Sequence, residues 1–75
     1  MASSKLPILS GREIIKILQK LGYREDRQRG SHIRLVCKGR RPVTVPDYRM
    51  VDRGLLKKIL RDARVTPEDF EKLRR

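Results

Sequence analysis

Apolar residues recur at helical spacing near the start of the chain, where Ile14–Leu21 carries them at every third or fourth position. A capping box precedes this run: the Ser10 hydroxyl can accept from the Glu13 amide, and the Glu13 side chain from the Ser10 amide. Gly22 follows the run and suits the left-handed residue that often ends a helix. We therefore predict a first helix over about residues 11–21.

The pattern then changes to the period of two that is typical of strands. It is clearest in Ser31–Cys37, where His32 and Arg34 fall on one face and Ile33 and Leu35 on the other. The apolar face should pack on a core. His32 should then stand on the opposite face, exposed to solvent among cationic neighbours.

Weaker strands flank this one. Tyr23–Gln28 is mostly charged and suits a sheet edge, and Pro42–Pro46 is short and bracketed by prolines. Arg29–Gly30 and Lys38–Arg41 supply the two turns, in which glycine can take a positive φ. The three strands are predicted to form an antiparallel meander.

Two helical stretches complete the chain. Asp52 can cap a second helix, and Thr66 followed by Pro67 can begin a third, from which Phe70 and Leu73 pack back. The order α-β-β-β-α-α predicts an α+β fold, with the helices on one face of the sheet and the other face open. The apolar face of the second helix comprises Leu55, Leu56, Ile59, Leu60 and Ala63.

Length and composition favour one domain over residues 1–75, with one small core. A single cysteine suits a reducing compartment, and neither a secretory signal nor an apolar run long enough to span a membrane is evident. We therefore expect a cytoplasmic protein. Residues 1–6 and 74–75 are expected to be loose.

The net charge of +11 favours a polyanionic partner, and the most basic third, residues 23–49, contains the only histidine. The alternative is that lysines and arginines only solvate a small surface. Several kinds of chemistry have no support in the sequence. There is no Cys/His cluster for zinc and no glycine loop for a nucleotide phosphate, and Cys37 falls on the predicted core face.

His32 is the most specific candidate, because imidazole exchanges protons near neutral pH. A base that deprotonates the RNA 2′-hydroxyl can drive attack on the adjacent phosphorus without a metal, which is typically worth about 10²–10⁴-fold. The alternative is an ordinary surface histidine. Nearby cations could hold the phosphate and stabilise charge in the transition state: Arg29, Arg34, Lys38, Arg40 and Arg41.

Other side chains could contact RNA away from the scissile bond. Tyr48 and Tyr23 could stack on a base, although packing at the rim of the core is the better interpretation of Tyr23. Lys57 and Lys58 could form a phosphate-binding stripe with Arg61, or simply a solvated helix face.

The motifs together resemble a known family. Leu21-Gly22-Tyr23, Gly30-Ser31-His32, Val43-Thr44-Val45-Pro46 and a Gly54–Arg61 helix follow one another as in the HicA (YcfA-like) toxins of type II toxin–antitoxin modules. The resemblance covers about residues 8–66 and leaves 67–73 as a short helical extension.

This resemblance implies a double-stranded-RNA-binding-domain-like fold and a metal-independent ribonuclease that cleaves mRNA, needs no cofactor and is neutralised by a HicB-type antitoxin. The family's catalytic histidine falls on His32, preceded by Gly30 and Ser31. Two positions depart from the family pattern: Tyr48 stands where many members have a histidine, and Arg64 stands where a helix-ending glycine is common.

Two non-catalytic functions stay open. One is an RNA-binding module that recognises double-stranded RNA by shape and phosphate contacts. The other is a DNA-binding or scaffold role for the basic surface alone.

Overall fold

The computed structural model describes residues 6–75, in which a three-stranded antiparallel sheet packs against helices on one face. The predicted α+β class and the order α-β-β-β-α-α are confirmed. The strands lie side by side in chain order, so the first and third are edge strands. The elements are α1 (Gly11–Gln19), β1 (Arg24–Arg29), β2 (His32–Cys37), β3 (Arg40–Pro46), α2 (Arg53–Ala63) and α3 (Pro67–Arg74).

Several predicted boundaries were wrong by one or two residues. The first hairpin turns at Gly30–Ser31, not Arg29–Gly30, so β1 ends and β2 begins one residue later than predicted. The second hairpin turns at Lys38–Gly39, and β3 therefore begins at Arg40, two residues early. Both turns place their glycine at positive φ, 60° and 82°, where a residue without Cβ carries no steric cost.

The core lies between the closed face of the sheet and the helices. Ile33, Leu35, Val43 and Val45 project from β2 and β3 into it and are almost fully buried. Apart from the phenol of Tyr23, no polar or charged side chain in residues 6–75 is buried with them. The helices contribute Ile14, Ile15, Ile17, Leu18, Leu56, Ile59, Leu60, Ala63 and Phe70.

The ends of the described chain are held more firmly than the sequence suggested. Leu6 is buried, and its carbonyl accepts a hydrogen bond from the Arg53 Nε at 2.6 Å. Phe70 is fully buried, as predicted, and Arg74 belongs to α3. The expectation of loose ends is therefore wrong for Leu6 and Arg74, and for residues 1–5 it lies outside the described part of the chain.

The caps formed as predicted at every helix start. Ser10 and Glu13 form both bonds of a capping box, and Asp52 and Thr66 each accept from the amide three residues on. At their C-terminal ends, α1 and α2 have the same pair of backbone hydrogen bonds. The N–H groups of Gly22 and Arg64 each reach back three residues, and the next amide reaches back five.

Candidate nucleic-acid interface

His32 stands on the open face of the sheet, at the first residue of β2, and its side chain is exposed. It pairs with Arg29 of β1 on one side and with Pro46 of β3 on the other. Directly paired residues place their Cβ atoms about 5 Å apart on the same face. The predicted outward presentation of the imidazole is confirmed, since its neighbours Ile33 and Leu35 point into the core.

Two of the predicted cations share this face with the histidine. Arg29 pairs directly with His32, and Arg34 lies two residues further along β2; both side chains are exposed. A bulge in β1 between Glu25 and Arg27 interrupts the pairing, and its Asp26 forms an ion pair with Arg34 at 3.5 Å. This carboxylate partly neutralises Arg34. No residue pattern in β1 predicted the bulge.

The turn and the loop beside His32 are fixed by backbone hydrogen bonds. Gly30 and Ser31 form the hairpin turn, and the Ser31 carbonyl accepts from the Asp47 N–H at 2.6 Å. The next residue, Tyr48, is 45% exposed and receives the Gly11 N–H on its carbonyl at 2.8 Å. Tyr48 therefore lies at the His32 end of the sheet, where an aromatic face is open to solvent.

Gly11 supports the site although it was not among the predicted site residues. It is buried at the start of α1, and a Cβ atom there would lie 1.9 Å from the Pro46 carbonyl oxygen. Since Pro46 pairs with His32, this close approach of α1 to β3 fixes the backbone opposite the histidine. The approach joins residues 35 positions apart, so the position of Gly11 in the sequence did not predict it.

The remaining predicted cations do not gather at His32. Lys38, Arg40 and Arg41 lie at the other end of β2 and β3, five residue steps or about 16 Å along the strand. The Arg40 guanidinium donates to the Ala63 carbonyl at 3.3 Å, which directs it towards the end of α2. The structure thus separates the predicted cations into two groups.

The two candidate lysines lie on α2, about one turn before Arg61. Lys57 and Lys58 are exposed, and Lys58 forms an ion pair with Asp62 at 3.3 Å. Arg64 follows this helix with φ 59° and ψ 44°. It is the one non-glycine residue at positive φ among residues 6–75, and it was not among the predicted RNA contacts.

Tyr23 and Cys37 pack in or beside the core and not at the candidate site. The Tyr23 ring is buried and its hydroxyl donates to the Arg41 carbonyl at 2.7 Å, which supports the packing interpretation. Burial raises the pKa of this phenol, and the charge of Arg40 opposes part of that increase. The Cys37 Sγ packs at the core edge near the Leu21 carbonyl.

Residues 6–75 contain no cluster of three or more His, Cys, Asp or Glu side chains that could hold a metal ion. No helix in the same range has both the length and the apolar character needed to cross a membrane.

Comparison with known proteins identifies one family. Residues 11–65 match the family model described as "HicA toxin of bacterial toxin-antitoxin". The match begins at the first residue of α1 and ends two residues after α2, so it includes the whole sheet and leaves out α3. No curated protein matches the chain.

Proposed function

This chain belongs to the HicA toxin family of toxin–antitoxin systems, and from that premise we propose that it is a metal-independent ribonuclease that cleaves mRNA in the cytoplasm. The observation that carries the proposal is the position of His32. It is the only histidine of the chain, and it is exposed on an open sheet face beside Arg29 and Arg34.

In the proposed reaction His32 acts as general base on the ribose 2′-hydroxyl. The 2′-oxygen bonds to the adjacent phosphorus as its proton passes to the imidazole, and the bond from phosphorus to the 5′-oxygen breaks. Water supplies the proton for the departing 5′-oxygen, and a 2′,3′-cyclic phosphate remains. Arg29 and Arg34 hold the phosphate oxygens as negative charge builds on them.

Substrate contacts extend from the histidine to the turn and the loop that flank it. The exposed backbone of Gly30 and Ser31 lets the RNA backbone approach the sheet closely, and Tyr48 stacks on a base beside the scissile phosphate. Lys57 and Lys58 contact phosphates from α2.

The decisive experiment compares the parent protein with His32→Ala. We expect the variant to lose at least about 100-fold in cleavage rate, because proton transfer by a positioned side chain is worth about 10²–10⁴-fold. RNA binding and its salt dependence should be unchanged, since phosphate contacts supply most of the affinity. Lys16→Gln, which removes an exposed charge on α1, is the control for activity.

The substrate provides an independent test. RNA with a 2′-deoxyribose at the cleaved position should bind but stay intact, and a chelator should leave cleavage of normal RNA unchanged. Full cleavage by His32→Ala would refute the assignment. If the parent binds RNA without cutting it, the protein is the RNA-binding module instead, whereas equal affinity for duplex DNA would favour a general polyanion-binding role.

Membership of a toxin–antitoxin family implies an antitoxin partner. We propose a HicB-type protein with an acidic face that covers the open face of the sheet and hides His32. The exposed side chains of Tyr48 and Met50 give this end of the molecule the apolar contacts that protein interfaces use. A neighbouring reading frame without a small partner protein would count against this pairing.

A further inference from the structure

We propose that a second group of cations, at the end of the sheet away from His32, is a separate site that holds RNA phosphates and takes no part in cleavage. This inference rests on the proposed function, because it assigns a further part of the same substrate. We call the group the far-end cluster: Lys38, Arg40, Arg41, Arg61 and Arg64.

Three parts of the fold bring these side chains together. The hairpin turn and the start of β3 supply Lys38, Arg40 and Arg41, the last turn of α2 supplies Arg61, and the residue after the helix is Arg64. They line two adjoining open clefts of about 550 and 630 Å³, and Arg41 and Arg64 line both clefts. The arrangement is a concave cationic surface that brings together residues up to 26 positions apart.

No carboxylate of residues 6–75 forms an ion pair with a side chain of the cluster, although Asp69 lines a neighbouring cleft with Arg40 and Arg64. Among the described residues that line the two clefts, Asp62 is the one carboxylate, and it is held by Lys58 at 3.3 Å. The carbonyl groups at the end of α2 carry the negative end of the helix dipole, which favours cations there. Arg40 donates to one of those carbonyls, from Ala63, so its guanidinium is positioned in advance.

The backbone of Arg64 is the second, independent indication. Its φ of 59° is a left-handed conformation that is sterically unfavourable for an L-residue and carries no steric cost for glycine. The same motif at the end of α1 uses Gly22. An arginine at such a position sacrifices stability, and departures of this kind from local preference are concentrated at functional sites.

RNA fits this surface better than a protein does. Protein interfaces need exposed apolar or aromatic side chains at their centre. The large exposed hydrophobic residues of the described chain are Ile8, Tyr48 and Met50, and none of them lines the clefts. A cationic cleft that lacks large exposed hydrophobic side chains is typical of phosphate-backbone contacts, which position a nucleic acid without reading its sequence.

The position of the cluster fixes its role in the reaction. It begins where β2 ends, about 16 Å from His32 along the strand, so one phosphate cannot contact both sites. The cluster should therefore affect only substrates long enough to span the two. A dinucleotide, which has a single phosphodiester, should be cleaved equally well with or without it.

Binding is measured first, in the His32→Ala background, so that the result does not depend on whether the protein cleaves RNA. Arg64→Gly should bind an RNA oligonucleotide about fivefold more weakly than the parent. The slope of the logarithm of the binding constant against the logarithm of the salt concentration should become shallower by about 0.7–0.9, the value of one phosphate contact. The Tm of Arg64→Gly should rise by about 4 °C as the strain is relieved. Arg64→Lys should keep the parent's affinity and Tm, and Lys16→Gln is the matched loss of one charge elsewhere.

Cleavage is measured second, with Arg64→Gly in the active protein. We expect a higher KM for the oligonucleotide, an unchanged kcat, and unchanged cleavage of a dinucleotide. Parental affinity and salt slope in both Arg64→Gly and Arg41→Gln would overturn the proposal, as would an equal defect on the dinucleotide. Tighter, Arg64-dependent binding of polyglutamate than of RNA would assign the cluster to an acidic protein and would likewise overturn it.

Discussion

The two faces of β2 have opposite surroundings although their residues alternate along one strand. Ile33 and Leu35 are fully buried under the helices, whereas His32 and Arg34, which alternate with them, are exposed. Because side chains alternate between the two faces of a strand, residues that stabilise the core and residues that can contact a ligand occupy neighbouring positions in β2. Substitutions one position apart in β2 should therefore have different kinds of effect, one on stability and the other on RNA binding.

A matched pair of variants tests the comparison directly. Leu35→Ala should lower the free energy of unfolding by about 2–5 kcal/mol, because it leaves a cavity in a small core. Arg34→Gln should change it by less than about 0.5 kcal/mol, since an exposed ion pair contributes little. Denaturant unfolding measures both. RNA affinity should fall in Arg34→Gln, and a destabilised but folded Leu35→Ala should keep it.

A loss of stability in Arg34→Gln as large as that in Leu35→Ala would contradict the separation of the two faces. Asp26→Asn is the useful companion variant. It frees Arg34 from its carboxylate without changing β2, so it should leave stability unchanged and strengthen RNA binding.

A substitution at Gly11 tests whether the close packing of α1 against β3 supports the open face of the sheet. Gly11→Ala would place a Cβ against the Pro46 carbonyl, so the backbone opposite His32 must shift. We expect a loss of about 1–3 kcal/mol in the free energy of unfolding, as for other overpacked sites, together with slower cleavage. Ser10→Gly at the preceding cap position is the control, because it changes the same turn without the clash and should cost only a few tenths of a kcal/mol. Normal stability in Gly11→Ala would show that the clash is easily relieved.

The buried phenol of Tyr23 should make the stability of the core depend on pH. Burial raises its pKa in the folded state above the unfolded value of about 10, so the fold favours the neutral phenol. Its contribution to stability is therefore complete below about pH 10 and is lost as the pH rises through the folded-state value. Tyr23→Phe should lower the free energy of unfolding by about 1 kcal/mol at neutral pH, because the Arg41 carbonyl loses its hydrogen-bond donor. The variant should also show a smaller loss of stability than the parent as the pH rises above 10. Thermal unfolding across the alkaline range measures this, with Tyr48→Phe, an exposed phenol, as the control. An unchanged alkaline slope in Tyr23→Phe would contradict the assignment.

Much of the fold could be predicted because its signals are local. The capping box at Ser10, the helix-ending Gly22 and the alternation in β2 each depend on residues close in sequence, and each formed as predicted. The errors lay in the turns, at the end of α1 and at the ends of the described chain. The residues at which a hairpin turns depend on how its two strands pair. That pairing depends on the partner strand as well as on the local sequence.

The candidate site divides in the same way. The exposure of His32 beside Arg34 followed from the period of the strand. The separation of Lys38, Arg40 and Arg41 from the histidine did not, because the five to eight intervening residues give no direction in space until the hairpin is formed. The approach of Arg61 and Arg64 to that group required α2 to pack across β3.

By itself, the sequence determined the helix starts, the buried face of each element, the order of the elements and the outward direction of the histidine. These follow from steric preferences and hydrogen bonds between residues at most a few positions apart. Only the tertiary structure decided the β1 bulge, the contact of Gly11 with Pro46 and the division of the cations into two sites. Those depend on which distant segments come into contact, and packing between elements sets that choice.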